Sequence, residues 1–296
     1  MNREKFLIVL SFATIYIVWG STYLFSAFAL REMDAFRMVS YRFLIASVIG
    51  FIIWKLTSPT LKASRKQIKN ALIAGTIMLG LGSGAAIWSL NHLDSGFSAL
   101  IISAEPLIIV LMMWVYKSRR PAMQTIAGIA LGILGMSLLI AQDELVSSTN
   151  QWIGIMTIFF SMLAWGVGSL FVAESELPSN AFLNISIQLL IGGLVSLIIS
   201  ICLFEDPVIF SELSFRAIFS LGFLILFGSL AAFTAFNYLL KKVSAEKVVT
   251  NTYVNPVIAM ILGYMFNEET ITRQSVIAAA IMLFGVFLIN SRKKSA

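Results

Sequence analysis

Residues Phe6 to Leu30 read FLIVLSFATIYIVWGSTYLFSAFAL, a run without a single Asp, Glu, Lys or Arg. A helix needs about 20 such residues to cross the hydrocarbon of a bilayer. Arg3 and Lys5 precede the run, and Ala27-Phe28-Ala29 imitates a signal-peptidase site. Signal cores are only about 7–15 residues long, so the run is expected to be a retained first transmembrane helix.

Nine more stretches of the same kind follow. They are Phe36–Trp54, Ile68–Leu90, Gly96–Tyr116, Ala122–Ala141, Trp152–Ala173, Ala181–Phe204, Arg216–Leu240, Val248–Phe266 and Gln274–Asn290. Lipid gives backbone groups no water partner, so each run is forced to be helical. The runs do not alternate apolar with polar residues, as a membrane barrel would. Composition agrees: 58% of residues are hydrophobic and 12% charged, about half the charge of a soluble domain. The fold class expected is an all-α membrane protein with ten transmembrane helices.

Charge fixes the expected orientation. With both termini cytoplasmic, sixteen of the 21 lysines and arginines fall on inside segments. Arg31, Arg37, Arg216 and Arg273 fall outside, and Arg42 falls within the membrane. Positive residues collect on the cytoplasmic side, so a multi-pass protein of a bacterial-type inner membrane is expected. Of the segments assigned inside, Glu174–Asn180 carries no basic residue. The net charge of +6 reports this topology and carries no nucleic-acid signal.

The two halves of the chain resemble each other. Trp19-Gly20 recurs as Trp165-Gly166, and Ser40–Ile45 aligns with Ser186–Ile191, both shifted by 146. Glu105-Pro106 meets Asn255-Pro256, and Gln124 and Gly135 meet Gln274 and Gly285, shifted by 150. Five helices per half is an odd number, so the second half enters the membrane upside down. The units expected are 1–142 and 151–291, two inverted five-helix repeats. Inverted repeats recur in secondary transporters, whose sites lie between the repeats near the midplane.

These residues also carry a family likeness. Ile17-Val18-Trp19-Gly20-Ser21-Thr22, Tyr41-Arg42-Phe43, Ser98–Pro106, Ala164-Trp165-Gly166 and Asn255-Pro256 followed by Asn267-Glu268-Glu269 resemble the EamA type of the drug/metabolite transporter superfamily. The resemblance implies a ten-helix fold with a central cavity lined mainly by helices 1, 3, 4, 6, 8 and 9. It also implies export of amino acids, metabolites or toxic organic compounds. One feature departs: the family's acidic end of helix 4 is replaced by Lys117-Ser118-Arg119-Arg120.

Glu105 lies nine residues into the fourth span, about 13 Å deep at 1.5 Å per residue, near the middle of a ~30 Å core. A carboxylate there needs a partner or a proton. Proton or substrate handling is the functional reading, and a structural ion pair or a permanently neutral acid the plain one. Arg42, about 9 Å into the second span, is the natural partner. It is also a receptor for an anionic substrate group, or a side chain that snorkels outward. Pro106 and Pro256 are expected to kink their helices beside the site. Trp19, Trp88, Trp165, Tyr238, Tyr253 and Asn255 are the candidate substrate contacts, with Tyr16, Asn91, Ser103, Asn237 and Asn251 as further polar candidates at that depth. Gly75, Gly80, Gly82, Gly84 and Gly128-x-x-x-Gly132 are read as packing residues.

The single His92 and single Cys202 leave no histidine metal site, catalytic triad or disulfide. A Gly-x-x-x-x-Gly-Lys-Ser/Thr phosphate loop is missing, so ATP does not drive this chain directly. No cofactor is expected. The expected partners are a small-molecule substrate and the lipid bilayer, with the chain a monomer or homodimer. The reading is a secondary transporter working by alternating access, with proton exchange through Glu105 as a hypothesis. Its rivals are an intramembrane enzyme, a non-transporting scaffold or sensor, and a channel.

Overall fold

The computed structural model describes residues 3–58, 63–93, 95–103, 105–117, 122–140, 149–266 and 272–290. Among them all regular structure is helical, in ten stretches. These are α1 (Arg3–Ala29), α2 (Ala35–Thr57), α3 (Arg65–Asn91), α4 (two pieces, Ser95–Ile102 and Glu105–Lys117) and α5 (Met123–Ile140). The second half holds α6 (Thr149–Glu174), α7 (Ala181–Cys202), α8 (Phe215–Lys242), α9 (two pieces, Ala245–Val248 and Asn251–Phe266) and α10 (Arg273–Asn290). Six of these, α1, α2, α3, α6, α7 and α8, are long and apolar enough to cross a membrane. The basic run Ser118–Arg120 and the acidic pair Glu268-Glu269 lie outside the described residues.

Two expected spans differ from a continuous helix. In α4, Ser103 turns and a new helix starts at Glu105. Pro106 therefore sits in a first turn, where a missing N–H costs nothing, and not at a mid-helix kink. In α9, Val249 and Thr250 turn before the longer piece begins at Asn251, with Pro256 inside it. A different irregularity marks α3 and α8. Each contains an eight-residue π-helical segment, Thr76–Ser83 and Leu224–Ala231. The segments are offset by 148 residues at both ends.

Packing follows one pattern. α2 runs along α7, and α5 along α10. α1 meets α9 and α8, α6 meets α4 and α3, and α3 meets α7 as α8 meets α2. Exchanging each helix for the one five places away maps this set onto itself. Small residues allow the close approaches, as they do between membrane helices. A β-carbon on Gly128 would lie 2.7 Å from the Gly285 carbonyl, and one on Gly285 2.6 Å from the Gly128 carbonyl.

The helix ends gather on two faces. On one, Lys242 pairs with Glu4 (2.7 Å) and Lys66 with Glu176 (2.9 Å). Lys241 Nζ donates to the Ser175 carbonyl at 2.5 Å. The Glu174–Asn180 loop, which has no basic residue of its own, thus borrows two from its neighbours. On the other face the loop before α2 and the loop after α7 cap each other. Asp34 stands before α2 without capping it. Glu205 does so instead, accepting from the N–H groups of Phe36 (3.1 Å) and Arg37 (2.7 Å). Asp34 accepts from Asp206 N, and Glu32 accepts from Ser214 N (2.7 Å) and Oγ (2.5 Å).

Candidate functional site

A central cavity of about 140 Å³ lies where the halves meet. Its polar and aromatic walls come from Trp19, Thr22, Tyr23 and Ser26 of α1, Arg42 of α2, Ser83 of α3 and Glu105 of α4. Ser161 and Trp165 of α6, Gly228, Ser229 and Phe233 of α8, and Asn251, Thr252 and Asn255 of α9 complete it. Among the described residues neither α5 nor α10 contributes. Besides helices 1, 3, 4, 6, 8 and 9, α2 lends Arg42 and Phe43 and α7 lends Leu189.

The break in α4 puts Glu105 at the cavity wall, 4% exposed. Its Oε1 is buried with no hydrogen-bond partner. Arg42 does not supply one: among the described residues the two form no ion pair. Arg42, 6% exposed, donates from Nε to Ser229 Oγ at 2.8 Å, and its guanidinium lies 5.3 Å from the centre of the Phe43 ring. Of the three options for Arg42, pairing with Glu105 is the one not seen among the described residues, where Arg42 is held toward α8. Ser26 Oγ and Asn251 Oδ1 are also buried without a partner on the same walls. A buried polar atom left unpaired is costly, and each of these three oxygens could accept a hydrogen bond from a donor entering the cavity.

Asn255 is satisfied, unlike Glu105. With its amide turned to suit its neighbours, Nδ2 donates to the carbonyls of Asn251 (2.9 Å) and Tyr16 (3.2 Å) and Oδ1 accepts from Asn251 Nδ2 (3.1 Å). Trp19 and Trp165 meet edge to face at 5.7 Å, and both lean on Phe236. Trp19 Nε1 donates to the Gly228 carbonyl at 3.1 Å.

Other candidates lie elsewhere. Trp88 stacks against His92 at 4.5 Å, off the cavity wall. Tyr238 is half-buried and away from it. Tyr253 is buried among the residues of α5 and α10, where a β-carbon on Gly132 would strike its ring. Asn237 binds Gln188 and Asn184 between α7 and α8. Tyr16 bonds Thr250, and Asn91 is exposed. Sequence reasoning missed Tyr23, Ser26, Ser161, Ser229 and Phe233. A signal existed for some of them. Thr22, Tyr23 and Ser26 continue the face of Trp19 at helical spacing, and Gly228-Ser229 repeats Gly82-Ser83 at the 146 shift.

The EamA-like transporter family matches residues 6–141 and again 152–291. The chain belongs to this family. Among EamA-type relatives it is 29% identical over 280 residues to the "Uncharacterized inner membrane transporter YedA" of Escherichia coli, spanning 94% of this chain and 89% of the relative. It is 20% identical over 282 residues to the "Uncharacterized transporter YoaV" of Bacillus subtilis, spanning 95% and 96%. A solved structure described as "Crystal structure of protein" superposes with a TM-score of 0.78 at 17% identity over 96% of both chains, which establishes the fold. The chain is thus a multi-pass membrane transporter of the EamA family.

Proposed function

We propose that this EamA-type protein is a secondary transporter that carries a small zwitterionic metabolite, of the amino-acid kind, out across the inner membrane by alternating access. The observation that carries the reading is the cavity between the halves, where a buried carboxylate (Glu105) and a buried guanidinium (Arg42) face the same space without pairing to each other. An ammonium group at Glu105 and a carboxylate at Arg42 would satisfy both at once, and Trp19 and Trp165 would cover the apolar part. The cavity is smaller than the ~300–1,000 Å³ of drug-sized pockets, which favours a compact substrate. Its presence argues against a non-transporting scaffold.

Alternating access requires two exchangeable halves. Ten transmembrane helices in two inverted repeats are supported by the self-mapping helix contacts, by the paired π segments and by the two stretches the family matches. The face where Lys66, Lys241 and Lys242 gather supports cytoplasmic termini, since that face also holds the start of α1. Glu105 is the group that would exchange protons. Proteoliposomes offered mixed amino acids or cationic dyes, with and without a pH gradient, test the reading. Counterflow of amino acids is expected, and transport of the dyes alone would overturn it.

A further inference from the structure

Two cavity side chains hold α8 at consecutive residues, one through its backbone and one through a side chain. Trp19 Nε1 donates to the Gly228 carbonyl, and Arg42 Nε donates to Ser229 Oγ. Both residues belong to the π segment Leu224–Ala231. Ser229 Oγ in turn donates to the Leu224 carbonyl at 3.0 Å, five residues back. That is the spacing at which π winding pairs its backbone groups. One hydroxyl therefore receives a hydrogen bond from the guanidinium and gives one to the π turn.

The matching segment in α3 lacks this link. Its Gly82 carbonyl accepts from Ser161 Oγ at 2.7 Å, a counterpart of the Trp19 contact. The residue at the place of Arg42 is Gln188, and it is committed to Asn184 (2.9 Å) and Asn237 (3.1 Å). Short π segments inside α-helices concentrate at functional sites. Here only the one in the second half is joined to a cavity charge.

We propose that Ser229 is a positioning residue that ties the winding of α8 to the occupancy of Arg42, so that a substrate carboxylate drawing the guanidinium away frees the π segment to rewind. The proposal rests on the cavity being the substrate site. Rewinding from π to α shifts the register by one residue, which turns one side of α8 about 100° against the other. Phe233, on the cavity wall, and Phe236, packed on Trp19 at 5.0 Å and Trp165 at 5.5 Å, lie just beyond the segment. Their turning would rebuild the aromatic wall between the repeats. The link thus converts a charge contact at the substrate into a movement of that aromatic wall.

Hydrogen–deuterium exchange on the full-length protein in nanodiscs tests this. Ser229→Ala and Arg42→Lys are expected to speed exchange of amides 224–236 about tenfold, as befits loss of a hydrogen bond to a charged group. Ser229→Thr, which keeps the hydroxyl, should restore wild-type exchange there, and Ser83→Ala should leave residues 76–83 unchanged. Wild-type exchange in both Ser229→Ala and Arg42→Lys, or equal acceleration throughout the protein, overturns the link. A mixture of neutral amino acids should speed the same stretch in the wild type and not in Arg42→Lys. If the variants respond but the mixture has no effect on any protein, the tie between Arg42 and α8 stands and the amino-acid reading falls.

Discussion

Glu105-Pro106 and Asn255-Pro256 are offset by 150 residues, yet the first pair opens its half-helix, the second lies about a turn inside its own, and the two sites are finished differently. Asn255 closes a local network with Asn251 and Tyr16. Glu105 closes nothing, and its Oε1 is an orphan in a buried wall. Arg42 and Gln188 differ in another way: Arg42 faces the cavity, while Gln188 Nε2 is held by Asn184 and Asn237 and its Oε1 has no partner. At the proline position the second half is the satisfied copy; at the other it is only neutral, since Gln188 leaves its Oε1 without a partner, and the first half keeps both charges. Two halves that match the same family need not share the chemistry. One copy can act as scaffold while the other carries the load.

The strongest way to break this contrast is to remove the carboxylate. Glu105→Gln should abolish transport driven by a pH gradient, and proteoliposome uptake that stays intact would refute the assignment of proton exchange to Glu105. Next in size, Asn255→Asp should destabilise the protein by about 3 kcal/mol, because a buried carboxylate would then face the Asn251 and Tyr16 carbonyls that now accept its N–H groups. Thermal unfolding in detergent reads this directly, and an unchanged midpoint would show that the two positions are interchangeable after all.

The repeated Trp-Gly pair sharpens the comparison at the level of packing. A β-carbon on Gly20 would lie 2.6 Å from Ile258 Cβ, whereas one on Gly166 would meet the sulfur of Met112 at 3.2 Å. The branched carbon cannot yield, and the flexible thioether can. Gly20→Ala should therefore cost about 1–3 kcal/mol and Gly166→Ala well under 1, measured by the same unfolding assay. The smallest effect is expected at the capped face. Hydrogen bonds from the Ser214 hydroxyl and N–H hold the Glu32 carboxyl below its ordinary value of 4.5. Its contribution is thus complete above that value and fades as pH falls through the lower one. The slight loss of stability on acidification should flatten in Glu32→Gln, and an unaltered pH profile would dismiss it.

How much of this was legible beforehand follows from what a bilayer hides. Helical runs, the family likeness, and the wall positions of Glu105, Arg42, Asn255, Trp19 and Trp165 could be read because charge, proline and tryptophan are rare enough in such runs to stand out. The faces of the helices could not. Lipid and core are both apolar, so a membrane helix shows no polar side to say where it points. Tyr253 and Trp88 have the right residue type on the wrong face for that reason. The break at Ser103 was equally hidden. Pro106 marks a disturbance, but a kink and a fresh start of helix share the same proline. Ser229 went unnoticed because a lone serine in a membrane helix usually bonds its own backbone, and its second bond to Arg42 exists only in the folded protein.

The trans cap on α2 has a consequence for synthesis. The first-turn amides of that helix, at Phe36 and Arg37, wait for a carboxylate that lies 169 residues further along the chain in one case and 168 in the other. At roughly 5–20 residues per second of translation, the ribosome must run on the order of ten seconds or more before Glu205 exists to receive them. The early-made half therefore enters the bilayer with one helix end unfinished. Its twin, arriving late, supplies the missing acceptor.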